Sequence, residues 1–278
     1  MANMTRLDHF DYSGKTVLLR VDINSPIDAK TKRIVNENRI QKSLPTIRAL
    51  LDGGAKLALI AHQGDTLDYQ NLIPMSEHAE KLSRHLDTPV AYIDDVAGPA
   101  AQERVRSLKK GEAILLGNLR YLSEEISTFE NSVKLKPEEM LKTHLIRGLA
   151  PLIDYYVNDA FAAAHRNAPS MVAFQELKPT AAGKLLFNEL AALDRVMQAP
   201  EHPSVFVLGG AKVSDKIGVI ESLMGRVDAL LIGGAMAYTF LKAQGVEVGD
   251  SLVQEEKLLL AKRMLERCAG KGVKVFLP

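Results

Sequence analysis

Val205–Ile220, VFVLGGAKVSDKIGVI, is the stretch whose reading decides the fold. Val205–Leu208 is a short apolar run of the kind that forms a buried strand. Gly209 and Gly210 follow directly. A residue without Cβ lets the backbone turn sharply and lets a ligand approach closely. Beyond Lys212 the apolar residues fall at helical spacing, with Ile217, Ile220 and Leu223 on one face. Ser214 or Asp215 is placed to cap that helix. Strand, glycine turn and helix N-terminus together aim backbone N–H groups at phosphate. Lys212 and Lys216 are four apart and share a face if the helix begins early enough. Two cations at the positive end of a helix cost up to about 1 kcal/mol each, unless an anion is expected there. Two solvated lysines beside an ordinary strand–helix turn give the same local pattern, and the stretch matches neither a Walker loop nor GxGxxG.

Outward from this stretch, the bulk numbers set bounds. At 278 residues and roughly 150 per domain, two domains are expected. Hydrophobic content of 46% and charged content of 25% describe an ordinary globular chain. A net charge of +1 gives no reason to expect nucleic acid or an anionic membrane as partner, so any anion site must be a local cluster. No signal core opens the chain, and the apolar stretch Ala229–Phe240 is too short and glycine-rich to span a bilayer. The single cysteine, Cys268, excludes an internal disulfide and fits a reducing cytosol, with a place in the core. The seven histidines show no metal-ligand spacing.

Taken in order, the chain alternates strands and helices. Strands are predicted at Val17–Val21, Lys56–Ala61, Val90–Ile93, Ala113–Leu116 and Tyr155–Val157, with a further short one at Met171–Phe174. Helices are predicted from Arg39 to the Gly53-Gly54 stop, over Ser76–Leu86, around Pro99–Ser107, and through Leu149. Such alternation implies right-handed crossovers and a mainly parallel sheet. Ligands of such sheets bind beyond the carboxyl ends of the strands. Asp22 and Asn24 end the first strand, His62 the second and Arg120 the fourth, while Arg39 opens a helix and Arg166 follows the fifth strand. Each alone also reads as a turn residue or a surface charge. Together Arg39, His62, Arg120 and Arg166 form a basic rim suited to a small anion. Ala182–Gln198 reads as a long amphipathic helix, with Leu185, Leu186, Leu190, Leu193 and Met197 on one side. A second strand–helix series begins at Val205, continues at Ala229–Ile232 and Glu255–Cys268, and ends in a strand at Val273–Leu277. Three parallel strands alone leave apolar surface and open edges.

The motifs RVDINSP, AHQG, NLRY, YYVNDAFAAAHR, LGGAKVSDKI and IGGAMAYTFLKAQG, spread over nearly the whole chain, closely resemble phosphoglycerate kinase, and NSP, HQG and AFAAAHR resemble its archaeal branch. The resemblance implies an α/β fold of two Rossmann-like three-layer α/β/α domains with mainly parallel sheets, the second incomplete here. Their expected extents are 1–180 for phosphoglycerate binding, 181–200 for an inter-domain helix and 201–278 for part of the nucleotide domain. It implies reversible phosphoryl transfer between 1,3-bisphosphoglycerate and ADP, giving 3-phosphoglycerate and ATP in glycolysis and gluconeogenesis. Mg2+ enters with the nucleotide, in a cytoplasmic monomer that closes about a hinge.

By the same resemblance Asp22, Asn24, Arg39, His62, Arg120 and Arg166 bind the acid. Gly210, Ala211, Lys212 and Lys216 line the nucleotide phosphates, and Gly233 and Gly234 approach the adenine. The acceptor carboxylate is already ionised at pH 7, so no general base is needed. Alignment and charge neutralisation are needed instead, and Arg39 and Lys212 are the expected catalytic residues. Three positions depart from the family pattern. Asp65 stands where an arginine is usual, Gly117 where a glutamate is usual, and Ala235 in place of a third glycine. The later glycine-rich GGGDT motif, with its metal-associated Asp, does not occur in these residues. A fragment that does not turn over alone is therefore expected. A non-catalytic phosphate-metabolite binding protein derived from the kinase is the alternative.

Overall fold

The computed structural model describes residues 4–65 and 69–278. The chain divides into two compact units, Met1–Ala191 and Ala192–Pro278, and the division falls inside the helix Lys184–Gln198.

In the first unit six strands form one sheet: β1 (Thr16–Arg20), β2 (Lys56–Ile60), β3 (Val90–Tyr92), β4 (Ala113–Leu115), β5 (Tyr155–Asn158) and β6 (Thr180–Ala182). Their order is β3-β4-β2-β1-β5-β6 and every pairing is parallel. Side chains alternate across a strand, and the burial follows that alternation. Val17, Leu19, Leu57, Leu59 and Leu115 pack on one face with Ile40, Ile47 and Leu50 of the helix Asn38–Asp52 and Leu82 of Ser76–Leu86. Leu18, Ala58, Ile60, Ile114 and Tyr156 pack on the other with Val105 of Pro99–Arg106, Leu149 of His144–Leu149, and Phe174. Strands buried on both faces read as continuous apolar runs, which is why they stand out in the sequence. The chain runs from β1 to β2 on one side and later returns to β5 on the other, so the crevice at the carboxyl ends lies around β1.

One local expectation is corrected. Met171–Phe174 is not a strand: Pro169–Val172 is a short helix and Phe174–Glu176 a 3-10 turn, because Pro169 sits at the first helical position, where its fixed φ favours a helix start. The sixth strand is instead Thr180–Ala182, three residues held by pairing with β5. In addition, the polar stretch after Arg120 folds into the short helices Ser127–Val133 and Pro137–Met140.

The second unit has a parallel sheet of β7 (Val205–Leu208), β8 (Ala229–Ile232) and β9 (Lys274–Phe276), in that order. One face buries Leu208, Leu230 and Ile232 against Ile220, Leu223, Phe240 and Met264. The other carries Val205, Val207, Leu231 and Phe276, all exposed. Cys268 is buried in this core, as expected.

The start of the helix Lys184–Gln198 is clamped to the first sheet by polar groups. Asp159, just beyond β5, accepts the Leu186 N–H at 3.1 Å, and the Thr46 hydroxyl accepts the Lys184 N–H at 2.9 Å. Burial raises the Asp159 carboxyl to about 6, against hydrogen bonds from Thr46, Leu186 and Leu185 that favour the charged form. The folded chain therefore holds this proton at pH values where the unfolded chain has released it, and that stabilisation is lost as pH rises through about 6. Relative to Asp159→Asn, the native chain should lose about 2 kcal/mol of unfolding free energy between about pH 4 and pH 7. Denaturant titrations at both pH values measure this, and parallel pH profiles would contradict it.

Candidate functional site: a basic pocket and a glycine-lined loop

The carboxyl ends of β1, β2 and β4 are held together by two buried amides. Gln63 Oε1 accepts the Ser25 N–H and its Nε2 donates to the Ser25 carbonyl, both at 2.9 Å, which joins the loops after β1 and β2. His78 Nε2 also meets Gln63 Oε1 at 3.0 Å. Asn118 Oδ1 accepts the N–H groups of Gln63 and Arg120 at 3.1 Å, and its Nδ2 donates to the Gln63 carbonyl at 2.9 Å, joining β2 to β4. Buried polar groups that are fully partnered rigidify what they connect. Neither amide is among the site residues expected from sequence. Their place inside the AHQG and NLRY motifs is the signal that marks them.

On this frame a cavity of about 220 Å3 opens, lined by Arg20, Asp22, Asn24, Arg39, His62, Glu125, Arg120 and Arg166, among others. All six residues assigned to the acid side thus come to one place. Arg39 is the second residue of its helix, and Asp22 answers the unfavourable dipole there by pairing with it at 2.8 Å. Arg120 donates to the Glu125 carbonyl at 2.6 Å, and Arg166 donates to Glu130 at 2.8 Å. Asp22 Oδ1, Arg120 Nε and Arg166 Nη2 are buried without a partner among the described residues. Each such group costs about 1–3 kcal/mol, which a matching ligand atom removes. Among the groups that line the pocket, four guanidiniums face the two carboxylates of Asp22 and Glu125, so the lining itself carries excess positive charge; Glu130, beside Arg166, and Asp65, on the loop after β2, lie outside that lining.

That excess acts on His62. Burial, then Arg20, Arg120, Arg166 and Arg39, push its pKa well below the usual histidine value. The ring is therefore neutral at physiological pH and offers the pocket one N–H and one lone pair. Arg20 and Arg120 are themselves pulled down by burial first, but guanidiniums remain charged. Asp65, exposed on the loop after β2, acts electrostatically on Arg120 in the opposite sense to its neighbouring arginines. Gly117 has little room to be otherwise: a Cβ there would lie 3.0 Å from the Asp95 backbone.

In the second unit Leu208 leads into the glycine turn. Gly234 has φ +68°, and a Cβ on it would lie 2.9 Å from the Gly210 nitrogen. Met236 N–H donates to the Gly210 carbonyl at 2.9 Å. The loops after β7 and β8 are thus pressed together, with the Lys216 side chain beside Gly210 and with Ala211 and Lys212 exposed. The helix begins only at Ile217, with Lys216 as its N-cap residue and no side-chain cap. Neither Ser214 nor Asp215 caps it, and Lys212 lies outside it rather than on a shared face. The reason is Gln254, whose Oε1 accepts the Val213 and Ser214 N–H groups and whose Nε2 donates to the Ser214 hydroxyl, so the turn is closed from another segment. Ala235 sits at φ −62°, where any L residue fits, and needs no glycine.

Two parallel α/β units, the first with helices on both faces of its sheet and an arginine pocket at its strand ends, place the chain in the α/β class whose ligands bind beyond the carboxyl ends of the strands. The family model described as phosphoglycerate kinase matches residues 7–278. The chain belongs to the phosphoglycerate kinase family. It is 43% identical over 263 residues to the phosphoglycerate kinase of Sulfurisphaera tokodaii, covering 93% of this chain and 62% of that protein. Against that of Thermococcus kodakarensis it is 47% identical over 255 residues, covering 90% and 59%. The crystal structure of phosphoglycerate kinase from Pyrococcus horikoshii OT3 matches with a TM-score of 0.84 at 37% identity, over 98% of this chain and 67% of that one. The chain thus spans about three-fifths of the length of these curated relatives.

Gly234→Ala should destabilise the second unit by about 1–3 kcal/mol, from the strained φ and the close Gly210 backbone, while Ala235→Gly should change it by no more than about 1 kcal/mol. Denaturant unfolding of both variants measures this. Equal effects would contradict the packing of the two glycine turns.

Proposed function

We propose that the chain carries the acid-binding half and part of the nucleotide-binding half of a phosphoglycerate kinase, which moves a phosphoryl group between 1,3-bisphosphoglycerate and ADP to give 3-phosphoglycerate and ATP. The observation that carries this reading is the pocket, whose lining holds four guanidiniums beside a carboxylate oxygen that has no partner among the described residues. A phosphorylated hydroxy acid supplies both counterparts: anionic oxygens for Arg120, Arg166, Arg39 and His62, and a hydroxyl that donates to Asp22. Asn24 supplies a further amide N–H. In the second unit Gly210, Ala211, Lys212 and Lys216 receive the nucleotide phosphates, and Gly233 and Gly234 let the base approach.

The phosphoryl acceptor is a carboxylate already ionised at neutral pH, so the protein need not remove a proton. Its work is to align the reactants and neutralise charge on the moving group. Arg39, half exposed and steadied by Asp22, does this for the acid and Lys212 for the nucleotide phosphates. In this reading Mg2+ enters with the nucleotide, on its phosphates. There it supplies further neutralisation of phosphate charge. The functional division follows 1–180, 181–200 and 201–278, in a cytoplasmic, monomeric enzyme. No helix among the described residues is long and apolar enough to cross a membrane.

One observation favours a second reading, a non-catalytic phosphate-metabolite binder: Asp65 places negative charge in the field of Arg120. Calorimetric titration of the 278-residue chain separates the roles. Arg39→Ala should weaken 3-phosphoglycerate about tenfold or more and leave MgADP unchanged, and Lys212→Ala should do the reverse. Loss of both ligands in either variant would contradict the assignment of separate sites. Retained 3-phosphoglycerate binding with no MgADP binding by the native chain would favour the second reading.

A further inference from the structure

We propose that Arg20 is a positioning residue that holds His62 in the Nε2–H form, and that buried Glu125 and Ser170 hold Arg20 in place to do so. The ligand part of this inference rests on the acid-site reading above. The tautomer does not.

Arg20 ends β1 on the same face as Leu18 and is only 3% exposed. Its Nη2 lies 2.9 Å from His62 Nδ1. A guanidinium has donors and no acceptor, so this contact is attractive only if Nδ1 carries no proton. The proton of the neutral ring is then on Nε2.

The remaining donors of Arg20 explain why it cannot simply turn away. Nη1 donates to the Val21 carbonyl, and Nε meets the Ser170 hydroxyl oxygen at 3.3 Å. That hydroxyl donates to Glu125 Oε2 at 2.6 Å, and the Ser170 N–H donates to Glu125 Oε1 at 2.7 Å. The Tyr156 hydroxyl donates to the Ser170 carbonyl and fixes Ser170 from the other side. Glu125, 4% exposed, thus reaches Arg20 through Ser170 and supplies the countercharge. A buried arginine without such partners would be strongly unfavourable.

Asn24 meets the other ring nitrogen of His62. Its Oδ1 accepts the Gly64 N–H at 3.1 Å, which orients the amide and turns its Nδ2 toward His62 Nε2, 3.4 Å away. With a proton on Nε2, both atoms are donors and do not bond to each other. They form instead a pair of N–H groups available to one acceptor oxygen, of the kind a phosphate or carboxylate presents. Neutral donors suit this position because Arg20, Arg39, Arg120 and Arg166 already surround the ring, and a charged imidazolium would add repulsion.

Nitrogen-15 NMR of the histidine rings in the free 278-residue chain tests the first part. His62 should show a pyridine-type Nδ1 and a pyrrole-type Nε2, unchanged from about pH 6 to pH 8. A protonated Nδ1 at neutral pH, in either the other tautomer or the cation, would overturn the proposal. Arg20→Met and Glu125→Gln should both convert His62 to a mixture of tautomers that titrates closer to the normal histidine range. A native tautomer in both folded variants would also overturn it. For the ligand, His62→Gln keeps an N–H near the Nε2 position and His62→Asn does not. The Gln variant should therefore bind 3-phosphoglycerate several-fold more tightly than the Asn variant, and the reverse order would contradict the donor role. A native chain with the Nε2–H spectrum that fails to bind 3-phosphoglycerate would instead sink the substrate reading and leave the positioning of His62 standing.

Discussion

Four arginines converge on one neutral histidine at the carboxyl edge of the first sheet, and their mutual repulsion is the constraint that the surrounding loops answer. Like charges this close are tolerated only when each guanidinium is individually partnered or awaits a ligand. Arg39 has Asp22, Arg166 has Glu130, Arg120 has the Glu125 carbonyl, and Arg20 reaches Glu125 through Ser170. Burial raises the Glu125 pKa, against the Ser170 hydrogen bonds and Arg20, which favour its charged form. Among the described residues, Arg120 Nε and Arg166 Nη2 remain buried and unmatched. Sites built for anions commonly hold such cost in the free protein and recover it on binding.

Charge alone would collect any anion. Selectivity needs fixed geometry, and the buried amides of Gln63 and Asn118 supply it by tying the loops after β1, β2 and β4 to one another. Those loops carry Asp22, Asn24, His62 and Arg120, so displacement of one strand end would move several pocket-lining groups together. In the second unit close packing of backbone takes this role. Gly210 and Gly234 approach to a distance that a Cβ would not allow, and Gln254 closes the turn between the glycines and the helix.

Much of this was legible in the sequence, for a physical reason. Parallel strands buried on both faces must be apolar throughout, and polar groups that gather in a pocket follow their carboxyl ends, so Asp22, His62 and Arg120 announce themselves by position. Arg20 did not, because within the strand it reads as an interruption. Its partner Ser170 lies 150 residues away, and Glu125 lies 45 residues from Ser170 in a polar stretch without periodicity. The strand Thr180–Ala182 was invisible because Thr-Ala-Ala has little strand character of its own and takes its form from β5. Capping failed for a similar reason: Ser214 has the right chemistry, but Gln254, 40 residues on, occupies it. Long-range polar pairing leaves no periodic trace, and it is the part that only coordinates supply.

On the reading proposed above, the first unit binds an anion and a neighbouring hydroxyl together, through the guanidinium N–H groups and the Asp22 oxygen that are unmatched among the described residues. The most direct measurement compares calorimetric affinities of the 278-residue chain for 3-phosphoglycerate and for 3-phosphopropionate, which lacks only the hydroxyl. The account predicts that both bind and that removal of the hydroxyl weakens binding about tenfold, the cost of leaving one buried acceptor unpaired. Equal affinities, or no binding of either by the folded chain, would contradict it.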